Sequence, residues 1–304
     1  MFPTELLLEI IDTLKEHFRF APLPEWTIEA NPGTVTLEML GALRRAGINR
    51  ISFGVQSSDD KLLSQIGRVH RYSDAVEAVY LAKTAGFDNI SVDLMYALPA
   101  QTVEGVLCDI EQVTSLPVSH ISFYGLRVEK NTPFGRDPYL VLPKEEEQCA
   151  MYLRGVELLA QKGYLQYEIS NFAKDGLYSR HNLRYWRREE YLGFGAAAHS
   201  FFENVRFSAP RDLTAYCALD DFSLQSEFYS QSTVDEQEAF EEELMLSLRT
   251  SDGYAIAFLP PQSKGYVTQL LTAEYATLAD GKLRLTPKGM LVSNAIISDL
   301  LCML

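Results

Sequence analysis

The chain has 304 residues, enough for one large core or for one core with a small satellite domain. Its hydrophobic content of 47% is ordinary for a globular protein, and no apolar run has the length of a membrane span. The net charge of -14 argues against general binding to nucleic acid or anionic membranes, because both would repel it. Four scattered cysteines and an N-terminus without a basic leader favour the cytoplasm over a disulfide-linked secreted protein.

The first two-thirds of the chain repeats a helix–turn–strand unit. Helices that alternate with strands predict a parallel sheet with right-handed crossovers. A closed barrel and an open doubly wound sheet both produce this pattern, and polar residues at the C-terminal ends of the strands favour the barrel. The predicted strands are Trp26–Pro32, Ile48–Gln56, Asn89–Leu98 and His120–Leu126. The predicted helices begin at a Thr36 cap, at a capping box of Ser57 with Asp60, at Ser73 and at Thr102.

Composition divides the chain into three predicted segments, 1–135, 136–230 and 231–304. The first segment contains the repeated unit. The second contains a long amphipathic helix, Lys144–Gly163, and then a run dense in aromatic residues. A polar stretch, Leu219–Thr233, separates this run from the last segment. We therefore expect a barrel followed by a linking segment and a small C-terminal domain.

The last segment has the pattern of a small α+β domain. It predicts an acidic helix at Asp235–Leu248, a second helix near Gly265–Leu271, a hairpin turning at Asp280–Gly281 and a closing helix at Pro287–Leu301. This order resembles a winged-helix domain. From Val234 onward, five Lys and Arg residues stand against ten Asp and Glu residues, so we expect a packing role and not DNA binding.

Polar side chains stand where the predicted strands end. Glu29, Gln56 and Asp93 lie at or near these C-terminal ends, and Arg68 follows the helix after Gln56. Together the four residues could line one rim and bind the amine, carboxylate and ribose hydroxyls of a small polar ligand. The alternative is structural: Glu29 and Asp93 would cap the helices or loops that follow them.

The chain resembles the radical S-adenosylmethionine (SAM) family of oxygen-independent coproporphyrinogen III oxidases. The similar stretches are specific when taken together and cover essentially the whole chain. They are 28–32 (Ile-Glu-Ala-Asn-Pro), 54–57 (Gly-Val-Gln-Ser), 67–70 (Gly-Arg-Val-His), 92–99, 131–134, 167–173, 191–195, 198–200 and 285–289. The resemblance implies a partial (β/α) radical-SAM-type barrel, with Glu29, Gln56, Arg68 and Asp93 as SAM-binding residues.

Residues 181–186, His-Asn-Leu-Arg-Tyr-Trp, are similar to the His-Asn-x-x-Tyr-Trp motif of the HemW-type heme-chaperone branch of that family. The resemblance implies heme binding, with His181 as the iron ligand and with Asn182, Tyr185 and Trp186 at the heme. A neutral imidazole is a standard heme ligand, and aromatic rings can line a porphyrin pocket. His199 is a weaker candidate, because a tight turn rich in Gly and Ala is expected around it. Heme or porphyrin and heme-accepting proteins are the implied partners.

The family also implies a 4Fe–4S cluster, but its Cys-x3-Cys-x2-Cys motif and its glycine-rich SAM stretch are absent from this sequence. The chain starts where the second barrel helix is expected, so the first strands should be missing and Trp26–Pro32 should form a sheet edge. The four cysteines are dozens of residues apart and are expected to be small buried residues: Cys108, Cys149, Cys217 and Cys302. SAM cleavage by this chain alone is therefore not expected.

Four functions stay open at this point. The first is a heme-binding protein of the heme-chaperone type that is shortened at its N-terminus. The second is a radical SAM enzyme that decarboxylates a porphyrinogen, and the third is an inactive fragment of either. The fourth is an interaction module that uses the acidic C-terminal domain.

Overall fold

A computed structural model describes residues 3–218 and 230–303. The chain separates into two compact units, Met1–Tyr178 and Ser179–Leu304. The division into segments 1–135, 136–230 and 231–304 stays a prediction. Among the described residues, no helix combines the length and the hydrophobicity that crossing a membrane requires.

The first unit alternates helices with strands. In chain order its elements are α1 (Thr4–His17), β1 (Thr27–Ala30), α2 (Leu37–Arg45), β2 (Arg50–Gln56), α3 (Asp60–Gln65), α4 (Tyr72–Thr84), β3 (Asn89–Tyr96), α5 (Val103–Thr114), β4 (His120–Gly125), α6 (Pro133–Arg136), α7 (Glu145–Gln161), β5 (Leu165–Glu168) and β6 (Asn171–Ala173).

These six strands form one sheet in the order β1-β2-β3-β4-β6-β5. Strands β1 to β4 are parallel, as predicted, and β1 lies at one end of the sheet. Strands β6 and β5 pair antiparallel, which the sequence did not predict. They have only three and four residues, too few to show a strand period, and a tight turn joins them.

Local signals in the sequence locate most helix starts. The predicted cap Thr36 accepts a hydrogen bond from the Met39 amide at the start of α2. The predicted capping box of Ser57 with Asp60 is wrong, because Asp59 caps α3. Ser57 is instead fully buried and turns its hydroxyl toward another element.

The two faces of the sheet in the first unit differ in chemistry. Ile51, Phe53 and Val55 alternate along β2 with Arg50 and Ser52, as successive strand residues must. The apolar set is fully buried, together with residues of the covering helices: Leu40, Leu43, Ala75, Val79, Val106 and Ile110. The opposite face carries buried or half-buried polar residues that hydrogen bond from strand to strand: Ser52, Gln56, Ser91, Asp93, His120 and Tyr124.

The described residues of the second unit form two small sheets. In chain order its elements are α8 (Arg180–Trp186), β7 (His199–Phe202), β8 (Val205–Ser208), α9 (Leu213–Cys217), β9 (Ser230–Thr233), α10 (Glu236–Ser247), β10 (Tyr254–Ala255), α11 (Lys264–Thr272), β11 (Ala276–Ala279), β12 (Lys282–Leu285), α12 (Pro287–Leu291) and α13 (Ser293–Leu301). Short 3-10 helices lie at Ile256–Phe258 and Pro261–Ser263. Strands β7, β8 and β9 form one antiparallel sheet, and β10, β12 and β11 form the other.

The predicted elements of the last segment are largely present. The hairpin of β11 and β12 turns at Asp280 and Gly281, whose φ angles of 54° and 72° suit a two-residue turn. The single closing helix predicted at Pro287–Leu301 is instead two helices that meet at Val292. Of the predicted polar stretch, only β9 falls within the described residues.

Candidate functional site

All four polar residues predicted at the rim line one cavity of about 640 Å³ in the first unit. The register explains their convergence, because Glu29 pairs with Ser52 across β1 and β2, and Ser52 pairs with Ser91 across β2 and β3. The carboxyl ends of these parallel strands therefore meet at one edge. Apolar walls from β1 and α2 complete the cavity: Ile28, Met39, Leu40 and Leu43.

Asp93 is held at the floor of the cavity by two strand hydroxyls. The Ser52 hydroxyl donates to its Oδ1 at 3.4 Å, and Ser122 also hydrogen bonds to it. Burial raises the pKa of the Asp93 carboxyl above its usual value, and these hydroxyls oppose that effect. Thr36 and Thr102 cap α2 and α5, so the capping role considered for Glu29 and Asp93 is filled by other residues.

Gln56 is held by a hydrogen bond from β4, two strands away in the sheet. The Tyr124 hydroxyl donates to its Oε1 at 3.1 Å. Burial raises the pKa of Tyr124 to about 12, so the phenol remains a donor at neutral pH. Gln56 itself has φ of 72°, an uncommon conformation for a residue other than glycine.

Gly54 has no side chain and so leaves room for the polar side chains that meet over this part of β2. A Cβ at this position would lie 2.9 Å from Gln56 Nε2, 3.6 Å from Asn31 Oδ1 and 3.9 Å from Arg68 Nη1. Arg68 in turn donates from Nη1 to Asn31 Oδ1 at 3.0 Å. The cavity therefore offers carboxylates, an amide and a guanidinium around a space that a larger residue at 54 would fill.

Sequence reasoning missed several residues of this site: Asn31, Ser52, Ser122 and Tyr124. The available signal was the two-residue period of the strands. Ser91 lies two positions before Asp93 on the same strand and therefore on the same face. On the next strand, Ser122 pairs with Asp93, and Tyr124 lies two positions further on that face.

The predicted heme motif lies on a short helix of the second unit, α8. Ser179 caps α8 by accepting from the Asn182 amide. One turn separates His181 from Tyr185, and the Tyr185 hydroxyl lies 3.0 Å from His181 Nε2. Both side chains are exposed, whereas Asn182 and Trp186 are half-buried.

His181 begins a series of edge-on contacts between aromatic rings. Its ring meets that of Tyr185 edge-on at 4.9 Å, and Tyr185 meets Tyr191 edge-on at 4.6 Å. Partial burial raises the pKa of the Tyr185 phenol. His199, predicted in a tight turn, instead lies exposed on β7, where it pairs with Ser208.

The cysteines do not have the predicted burial. Cys149 is half-buried, and the other three are exposed: Cys108, Cys217 and Cys302. Helix α5 shows the reason, because its buried face carries Val106, Asp109, Ile110 and Val113, and Cys108 falls on the outer face. Within residues 3–218 and 230–303, no three His, Cys, Asp or Glu side chains are placed to hold a metal ion.

Comparison with known proteins agrees with this geometry. Residues 3–111 match the radical SAM superfamily. Over 97% of its length the chain is 32% identical to a protein named heme chaperone HemW from Lactococcus lactis, of which it covers 80%. The chain belongs to the HemW family. It is also 39% identical to the Bacillus subtilis HemW over 82% of its length and 41% identical to the Escherichia coli HemW over 62%.

The coverage of these HemW relatives varies. The chain spans 66% of the Bacillus protein and 50% of the Escherichia coli protein. Among solved structures, coproporphyrinogen III oxidase (HemN) from Escherichia coli matches the whole chain with a TM-score of 0.80 at 20% identity, and 75% of that enzyme is covered. This match confirms the predicted α/β fold of radical-SAM type for the HemW-family chain.

Proposed function

We propose that this chain binds heme for transfer to acceptor proteins, the role for which its HemW relatives are named. The observation that carries the proposal is the exposed imidazole of His181, presented on α8 one turn from Tyr185. Imidazole nitrogen is a standard axial ligand for heme iron. Tyr185 and Trp186 would contact the porphyrin plane, and Asn182 would lie at its edge.

The surroundings of His181 suit a ligand residue. A histidine that binds iron depends on a second hydrogen-bonding group to set its tautomer and ring orientation. The Tyr185 hydroxyl is such a group at 3.0 Å, and the edge-on contact with Tyr191 holds Tyr185 in turn. The imidazole is therefore oriented before heme arrives, which lowers the entropy lost on binding.

We further propose that SAM binds in the cavity of about 640 Å³ lined by Glu29, Gln56, Arg68 and Asp93, which we call the rim cavity. Its carboxylates, Glu29 and Asp93, suit the ammonium group and the ribose hydroxyls of SAM, and Arg68 suits the carboxylate. The Gln56 amide can both donate and accept. When a reduced 4Fe–4S cluster adjoins it, SAM supplies an organic radical.

The cluster does not fit the residues that the structure describes, because they contain no suitable group of ligands. We therefore propose heme binding, and not porphyrinogen decarboxylation, as the function of this chain. The likeness to coproporphyrinogen III oxidase at 20% identity supports the fold alone. We propose a cytoplasmic setting, in which thiols stay reduced, and the four free cysteines support it.

A heme titration followed at the Soret band tests the proposal. We expect saturable one-to-one binding by the 304-residue chain, and we expect His181→Ala to weaken it at least about tenfold by removing the iron ligand. His199→Ala is the matched control, since His199 is an exposed histidine of the same unit. Unchanged binding and an unchanged Soret band in His181→Ala, or an equal loss in His199→Ala, would contradict the assignment.

A further inference from the structure

A buried carboxylate lies behind the rim cavity without lining it. Asp109 is on the inner face of α5 and only 3% exposed. Its Oδ1 accepts from the Ser58 amide and the Ser58 hydroxyl, both at 2.6 Å. The Ser57 hydroxyl reaches both carboxylate oxygens at 3.0 and 3.1 Å, and Gln101 Nε2 donates to Oδ2 at 3.2 Å.

The partners of Asp109 belong to two different loops of the rim. Ser57 and Ser58 directly follow Gln56 at the end of β2. Gln101 closes the loop after β3, where its Oε1 accepts from the Leu98 amide at 3.0 Å and its Nε2 also donates to the Met95 carbonyl at 3.2 Å. One carboxylate on α5 therefore ties together the chain segments that follow the two strands carrying Gln56 and Asp93.

Both loops contain strained backbone that needs such support. Gln56, Ala97 and Ala100 have φ angles of 72°, 61° and 60°, in the left-handed region that residues other than glycine avoid. Residues persist there only when surrounding contacts determine their conformation. The hydrogen bonds to Asp109 and Gln101 are among the contacts that hold these positions.

We propose that Asp109 is a positioning residue for the rim cavity: it fixes the loops after β2 and β3 so that Gln56 and Asp93 face a ligand together. This inference rests on the proposed SAM site. A buried carboxylate without a cation needs several donors to remain stable, and Asp109 has the amide of Ser58, two hydroxyls and one side-chain amide. The same donors are what order the loops.

Asp109→Asn is the informative change, because it keeps the shape and replaces one acceptor oxygen by a donor. If the new oxygen faces the Ser58 amide, the new NH2 faces the NH2 of Gln101. Gln101 can relieve this contact only by flipping, and a flip breaks its bonds to Leu98 and Met95. Both the unrelieved contact between the two NH2 groups and the flipped Gln101 loosen a rim loop, whereas the buried core of the sheet stays intact.

The test measures SAM affinity by calorimetry, well below the unfolding temperature of each variant, and amide exchange without ligand. We expect Asp109→Asn to weaken SAM binding about tenfold or more, since small misplacements in a site are costly. Exchange at Ser58 and Leu98 should become faster. Glu104→Gln is the matched control, the same kind of change at an exposed residue of α5, and should alter neither quantity.

A second pair of variants separates positioning from mere stability. Gln101→Glu combined with Asp109→Asn restores a donor facing an acceptor and keeps the acceptor for the Leu98 amide, but it loses the donor to the Met95 carbonyl. SAM affinity should therefore recover in part. If Asp109→Asn does not fold, Ser58→Ala removes one bond to the same carboxylate and should weaken SAM binding by a smaller factor.

The outcomes are distinguishable. An unmodified chain that fails to bind SAM overturns the proposed site itself. A chain that binds SAM, with an Asp109→Asn variant of equal affinity, overturns only the positioning role. A double variant that binds SAM no better than Asp109→Asn would also overturn that role.

Discussion

Glu168 is a fully buried carboxyl whose protonation should make stability depend on pH. It accepts hydrogen bonds from the Ser170 amide at 2.9 Å and from the side chain of Asn171. Burial raises its pKa from 4.5 to about 7, and the two hydrogen bonds oppose that effect. Between these values the folded chain holds a proton that the unfolded chain releases, so the free energy of unfolding should fall as pH rises.

The expected size of this effect is about 2–3 kcal/mol between pH 4.5 and pH 7, because each pKa unit corresponds to about 1.4 kcal/mol. Glu168→Gln removes the titrating group, so the difference in unfolding free energy between variant and parent should change by this amount over that range. Urea unfolding at a series of pH values measures it. Glu157→Gln, at an exposed residue of α7, is the control. Its free energy of unfolding should depend on pH in the same way as that of the parent. A constant difference between Glu168→Gln and its parent would show that Glu168 ionises normally.

Single residues also show which parts of the candidate site the sequence could predict. Glu29, Gln56 and Asp93 were found because each stands at or near the end of a recognisable strand, and Arg68 because it follows the helix after Gln56. Asp109 could not be found, because its partners Ser57 and Ser58 lie more than fifty positions away in sequence. A helix residue that supports a distant loop leaves no periodic signal.

Helix α7 packs beside α5 and over the sheet through a close approach at Gly155. A Cβ there would lie 2.7 Å from two ring carbons of Phe123 and 3.3 Å from Ile110. Both neighbours are fully buried and cannot move aside freely. Gly155→Ala should therefore lower the free energy of unfolding by about 1–3 kcal/mol, although alanine favours helix.

Gly41 in α2 provides the matched control for this close approach. A Cβ at Gly41 would meet only the flexible end of Arg45, at 3.3 Å. Gly41→Ala should stabilise by about 0.5–1 kcal/mol through helix propensity alone. Chemical denaturation of both variants gives the comparison, and equal stabilisation by both would mean that α7 can shift away from Phe123.

The elements themselves were predictable to the extent that their signals are local. The parallel strands β1 to β4 follow from hydrophobic runs in the sequence. The cap at Thr36 follows from a hydroxyl directly before the first residue of α2. The antiparallel strands β5 and β6 depend on pairing with β4, which no local pattern encodes. The break at Val292 likewise interrupts a sequence that is helical in pattern on both sides.

Across the whole chain, the placement of cysteine decides whether iron–sulfur chemistry is available. A 4Fe–4S cluster is held by cysteine thiolates brought together. The four cysteines belong to α5, α7, α9 and the end of α13, and three of them are exposed: Cys108, Cys217 and Cys302. We therefore expect reconstitution with iron and sulfide to leave no stoichiometric cluster, and SAM to bind without reductive cleavage.

Iron and acid-labile sulfide per chain, measured after desalting, check this expectation, together with the release of methionine and deoxyadenosine from SAM under dithionite. A variant with all four cysteines changed to serine sets the level of adventitious iron, and the parent chain should match it. About four irons per chain that are lost in this variant, with SAM cleavage, would contradict the prediction. Heme binding through His181 needs no thiolate and should be equal in the two proteins, because an imidazole alone supplies the axial ligand.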